Sequence, residues 1–100
     1  MYAYRAYTRS VGVEFDPKKN AANIAKHGVS LADGDGVLLD PIALTIEDAS
    51  SRGEERWQTI GLNSFGELMI VVWTYRGEDI RIISVRKPEP KERRDYEEGS

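Results

Sequence analysis

Seven of the fourteen Lys and Arg residues fall within nineteen positions: Arg76, Arg81, Arg86, Lys87, Lys91, Arg93 and Arg94. From Ile80 to Pro88 that stretch holds no acid. A guanidinium stays charged at any physiological pH and grips phosphate oxygens through paired N–H donors. Trp57, Trp73, Tyr75 and Tyr96 lie around the stretch and offer rings on which nucleobases stack. One reading is a phosphate-binding concavity, joined by Arg56 if the strands run in order. The other is a charged strand edge and a solvated helix that deter pairing with other chains. Composition leaves both open.

Two more groups bear on chemistry. His27, in Lys26-His27-Gly28, ends a helix, where the backbone dipole favours an imidazolium. It serves there as a proton donor or phosphate clamp, or it bonds only the last helical carbonyls. Glu92 and Tyr96 stand four apart on a helix and share a face. They supply a general base and a stacking phenol, or an ordinary surface pair.

The whole-chain balance narrows the classes. With 14 cations against 17 carboxylates the net charge is −3, which excludes a bulk polycation but not a local basic patch. Zero cysteines removes disulfides and thiolate nucleophiles, and one histidine argues against a metal site. No Gly-rich phosphate loop, Ser/His/Asp order or cofactor motif occurs, so neither cofactor nor metal is expected. The acidic pairs Glu47-Asp48 and Glu54-Glu55 read as solvated loop charges. The apolar run Leu68–Trp73 is far too short to span a membrane, and the opening has no signal-peptide pattern. A cytoplasmic domain is expected, with no membrane contact.

These residues need elements to hold them. Residues 1–12 lack periodicity and read as a flexible arm, leaving one domain over residues 13–98. Val13-Glu14-Phe15 alternates as a short strand. Asp16-Pro17 starts a helix and Gly28 ends it, with Ala21, Ile24 and Ala25 as its buried stripe. Ser30 and Asp33 have capping-box spacing ahead of a second helix, Leu31–Leu39, which Gly34 and Gly36 weaken. Strands follow at Ala43–Ile46, Arg56–Leu62, Glu67–Tyr75 and Ile80–Arg86, and Pro90 opens a last helix, Lys91–Glu98. Arg81 and Arg86 differ in parity and face opposite ways unless a bulge intervenes. The fold class is α+β: an antiparallel four-stranded meander plus a short N-terminal strand. Two N-terminal helices cover one face, and a short helix closes the chain.

Several strings then converge on one family. Phe15-Asp16-Pro17-Lys18 and Asn23 through Lys26-His27-Gly28-Val29-Ser30 come first. Gly53-Glu54-Glu55-Arg56, Thr59-Ile60-Gly61, Arg81-Ile82-Ile83-Ser84-Val85-Arg86-Lys87 and Lys91-Glu92-Arg93 follow in order. Over residues 13–98 the chain resembles BrnT-type toxins. The resemblance implies a RelE-like fold, metal-independent endoribonuclease activity that arrests translation, and neutralisation by a BrnA-type antitoxin. Its partners would be RNA and that antitoxin, as a homodimer or a toxin–antitoxin hetero-oligomer. The chain departs from the pattern at Trp73, where many relatives have His, at Gly34-Asp35-Gly36 and at Pro88-Glu89-Pro90.

Under that resemblance the roles divide by chemistry. Arg86 and Arg56 take the phosphate, with Lys87 or Arg93 beside them. Glu92 or His27 moves protons. Trp57, Tyr75 and Tyr96 hold bases, and Lys26, Arg76 and Arg81 contact the RNA. A non-catalytic RNA- or protein-binding sheet domain is the alternative.

Overall fold

Asp16 starts the first helix as its type predicts. Its Oδ1 accepts the Lys18 amide at 2.8 Å, and Pro17 opens α1 (Pro17–His27). Gly28 closes α1 by donating its amide to Ile24 O. The packed face differs from expectation: Ala21, Ile24 and Ala25 are exposed, and Asn23 is the buried residue. The helix docks on the sheet through a polar side chain, so the apolar spacing pointed the wrong way.

In this computed structural model, which describes residues 13–48 and 53–99, five strands form one sheet. They are β1 (Val13–Glu14), β2 (Leu44–Glu47), β3 (Trp57–Leu62), β4 (Leu68–Arg76) and β5 (Asp79–Arg86). The order is β1-β5-β4-β3-β2, with β2 to β5 an antiparallel meander. β1 lies parallel to β5, opposite Ile80 and Arg81. The arm expected over residues 1–12 falls outside the described residues.

Strand alternation divides the sheet cleanly. Met69, Val71 and Trp73 share one face with Ile80, Ile82 and Val85, and all six are buried. Val29, Leu31, Val37 and Leu38 cover that face. Each such side chain contributes on the order of 1.5–3 kcal/mol by leaving water.

The segment that supplies this cover is not the expected second α-helix. The Ser30–Asp33 capping box forms, but it opens a 3₁₀ turn, Leu31–Gly34, and a second turn follows at Val37–Leu39. Gly34 passes so close to the sheet that an added Cβ would lie 3.0 Å from methyls of both Val71 and Val85. Gly36 then takes φ 86°, which breaks any continuous helix. Close approach outweighed helical continuity.

A bulge settles the parity question. Val72 pairs with Ser84 but Trp73 pairs with Ile82, so Ile83 is the extra residue. Arg81 sits opposite Thr74 and Arg86 opposite Ile70, two positions of the same parity on β4. The two arginines therefore share a face, contrary to the parity count.

The last helix, α2 (Pro90–Gly99), buries one residue, Tyr96. The Tyr96 hydroxyl donates to Asp40 Oδ2 at 2.7 Å. Asp40 also accepts the amides of Leu62 at 2.8 Å and Ile42 at 3.0 Å. Burial works to raise the Asp40 pKa, but these three bonds outweigh it and lower it. Burial, then the bond to Asp40, pushes the Tyr96 phenol up to about 12. Leu44, Ile60 and Ile70, on the face opposite the main core, stand beside Glu92 and Asp95 of α2.

Candidate active site

The end of α1 and the end of β5 meet. Lys26, His27, Arg86, Lys87 and Glu89 line one open hollow of about 440 Å³. Helix geometry puts Lys26 and His27 on the last turn of α1, and β5 delivers Arg86 as its final residue. The connector to α2 carries Lys87 and Glu89 past them. Among the described residues Lys26 and Lys87 form no ion pair. Three cations and an imidazole thus face one space. That combination has the chemistry to hold an anion and to pass a proton beside it.

Arg86 is already engaged. Its Nη1 and Nη2 donate to the two Glu92 carboxylate oxygens, each at 2.8 Å. Glu92 also accepts the Glu89 amide at 2.8 Å, the reach-back of a capping box at the start of α2. The bonds from Arg86 hold the Glu92 carboxyl down at about 2, against the opposing effect of burial. The same pair raises the Arg86 pKa. An incoming phosphate must displace a carboxylate from this fork.

The depressed carboxyl has a stability consequence with a definite sign. Its folded pKa lies below the usual value near 4.5, so its contribution is complete above that range. The contribution disappears as pH falls through about 2. Glu92→Gln keeps an acceptor for the Glu89 amide but removes the charge. We expect it to cost about 1–2 kcal/mol at pH 7 after allowing for solvent screening. The difference from the parent shrinks steadily below pH 4.5, and urea denaturation across pH 7 to 2.5 measures it.

The other expected residues are placed elsewhere. Arg56 precedes β3, four residues from Ile60, which pairs through Ile70 with Arg86. That offset and two strand spacings separate the backbones of Arg56 and Arg86 by about 16 Å. Arg56 pairs with Glu54 at 3.3 Å instead. Arg81 and Arg76 both turn to Glu14, at 3.2 and 3.8 Å, near the β4–β5 turn. Counted along the strands, Arg81 stands about 13 Å and Arg76 about 20 Å from the level of Arg86. Arg93 is exposed on α2. The arginines are spread over the sheet and α2 and do not gather in one pocket.

The aromatic residues also split. Trp57 stacks on Trp73 at 5.2 Å, and Tyr75 meets both edge-on at 5.5 and 5.3 Å. Trp73 is buried and donates its indole N–H to Thr59 Oγ1 at 2.8 Å. Position 73 is therefore filled by a core residue in this chain. Tyr75 keeps 44% of its surface in water, so a base can reach it. Tyr96 cannot stack on a nucleotide, because its ring is buried and its hydroxyl is tied to Asp40.

Asn23 and Asp40 escaped the reading of the sequence. Asn is a poor helix former. Its place mid-helix among alanines was the available signal. Asp40 gave none, since Asp before Pro reads as a helix stop. Among the described residues no cluster of His, Asp or Glu has the form of a metal site. No described helix is long and apolar enough to cross a membrane.

Residues 15–92 match a family model described as the ribonuclease toxin BrnT of type II toxin–antitoxin systems. The crystal structure of the Brucella abortus ribonuclease toxin BrnT superposes with TM-score 0.64 at 24% identity. The match covers 80% of this chain and 99% of that one, and it bears on the fold alone. No curated protein sequence matches.

Proposed function

The chain belongs to the BrnT family of ribonuclease toxins of type II toxin–antitoxin systems, and from that premise we propose that the hollow between α1 and β5 is its RNA-cleaving centre. The supporting observation is that His27, Lys26, Arg86 and Lys87, drawn from two distant parts of the chain, line one space.

Cleavage of RNA through its own 2′-hydroxyl needs three services. A base removes the 2′-hydroxyl proton, cations stabilise the pentavalent phosphorane, and an acid protonates the departing 5′-oxygen. Arg86 stabilises the phosphorane, because its fixed fork matches two phosphate oxygens. Lys26 and Lys87 add charge on either side. His27 protonates the 5′-oxygen, histidine being the side chain whose ordinary ionisation lies nearest neutrality. Glu92, freed when phosphate takes its place on Arg86, is the carboxylate at hand for the 2′-hydroxyl proton. The products are a 2′,3′-cyclic phosphate and a 5′-hydroxyl, and no metal ion takes part. Arg93, Arg56, Arg81 and Arg76 lie outside this centre and meet the RNA backbone beyond it, with Tyr75 and the Trp57 edge for bases.

Neutralisation by a BrnA-type antitoxin completes the reading. A partner that blocks the hollow directly must offer anions to Lys26, Arg86 and Lys87.

The test uses the 2′-hydroxyl. RNA oligonucleotides are cut in EDTA to cyclic-phosphate ends, and one 2′-deoxy substitution at the cut site abolishes cleavage there. Equal cleavage of DNA, or cleavage lost in EDTA and restored by a divalent ion, would sink this mechanism.

A further inference from the structure

Asn23 takes no part in the chemistry above, yet it is the one buried residue of α1. Its carboxamide is fully used. Nδ2 donates to Val29 O and to Val85 O, each at 2.8 Å, and Oδ1 accepts the Val85 amide at 3.2 Å. β1 pairs with β5 only at Ile80 and Arg81, so β5 lacks a strand neighbour beside Val85. The Asn23 amide fills that gap, engaging both backbone groups of one residue as a neighbouring strand would.

The clasp joins the two elements that build the hollow. On α1, Lys26 and His27 follow Asn23 by three and four residues, which puts all three on one side of the helix. On β5, Arg86 directly follows Val85. Asn23 therefore ties the two backbones together one helical turn from the imidazole and one residue from the guanidinium. A second hollow, lined by Lys19, Asn23, Lys26, His27, Ile83 and Ser84 among others, adjoins the first through the shared Lys26 and His27. An apolar residue at position 23 would also hold α1 down. Burial is non-directional, however, and would leave the helix free to slide along β5. Three hydrogen bonds to named backbone atoms do not allow that.

We propose that Asn23 is a positioning residue for RNA cleavage: its carboxamide sets the His27 imidazole in register with Arg86, so that the proton donor and the phosphate clamp meet at one phosphodiester. The proposal rests on the reading of the hollow as the cleaving centre. Its cost when lost follows from geometry, since a displacement of ~1 Å in a reacting pair lowers rates by ~10²-fold.

The experiment compares Asn23→Ala with Val37→Ala, a core truncation remote from the hollow that also lowers stability. Asn23→Ala is expected to lose about 100-fold in kcat with KM held within about threefold, while Val37→Ala keeps its kcat. Asn23→Asp keeps the acceptor for the Val85 amide but loses both donors, and it serves if the alanine variant does not fold. A second readout needs no RNA. His27 is the only histidine, so its imidazole NMR signals are unambiguous, and inorganic phosphate is the probe. Phosphate shifts those signals in the parent chain. In the Asn23 variants it still binds, measured by the Arg86 side-chain signals, but no longer moves His27. The proposal is overturned if Asn23→Ala loses no more kcat than Val37→Ala, or if phosphate moves His27 equally in both chains. Should phosphate leave the parent imidazole unmoved, the reading of the hollow itself fails. Normal cleavage by His27→Ala would show the same failure from the other side.

Discussion

Arg86→Ala lowers the rate of RNA cleavage by about 10²–10³-fold, the usual loss when one donor to a developing oxyanion is removed. The expectation follows from position and geometry together. Arg86 is the one cation of the hollow on a strand end, and its fork is aligned well enough to hold both Glu92 oxygens at 2.8 Å. Arg86→Lys recovers little, because an ammonium keeps the charge but not the two parallel donors. The control lies on the same sheet face. Arg81→Ala and Arg76→Ala remove equal charge but break pairs with Glu14, far from the hollow, so their loss falls on RNA affinity, and we expect their cleavage rate at saturating protein to stay within about threefold of the parent. Single-turnover cleavage of one RNA by the four variants decides the matter. If Arg86→Ala falls no further than Arg81→Ala, the site is misplaced.

What could be read from the sequence was what local chemistry determines. The Asp16-Pro17 start, the Gly28 stop and the hairpin turns of the meander depend on neighbours a few residues away. They emerged where expected. The departures all depend on contacts made across the fold. Leu31–Leu39 has helical spacing, but Gly34 must clear Val71 and Val85, residues some forty and fifty positions on. The face of α1 was misassigned because helix periodicity counts apolar side chains, and this helix docks through an amide. A single bulged residue, Ile83, reversed the parity of everything after it. Tyr96 resembled a stacking ring, since nothing near it in sequence showed that Asp40, fifty-six residues earlier, takes its hydroxyl.

The candidate site was legible in the same uneven way. The cation-rich string ending in Arg86-Lys87 and the Lys26-His27-Gly28 string were each visible. Their meeting was not, because it depends on Asn23 binding the β5 backbone. Arg56, expected beside Arg86, is separated from it by the intervening strand β4 and by a four-residue offset in register. Charge density along a chain thus marks candidates, and sheet register sorts them.

His27→Ala is expected to reduce kcat by about 10²–10⁴-fold, the span of a lost general acid. Loss alone would not distinguish an acid from a phosphate clamp, so the leaving group carries the argument. One that needs no proton gives the test. An RNA phosphodiester with a 5′-bridging sulfur departs as a stable thiolate, so the variant should cut it nearly as fast as the parent does. A phosphate clamp predicts the reverse: both substrates slow alike, and KM rises with them. Folding should survive the change, since Gly28 still caps α1 and Asn23 still holds Val85. Added imidazole restores part of the lost rate if the vacated space admits it. Equal slowing of the oxygen and sulfur substrates would remove His27 from proton transfer and leave it a binding residue.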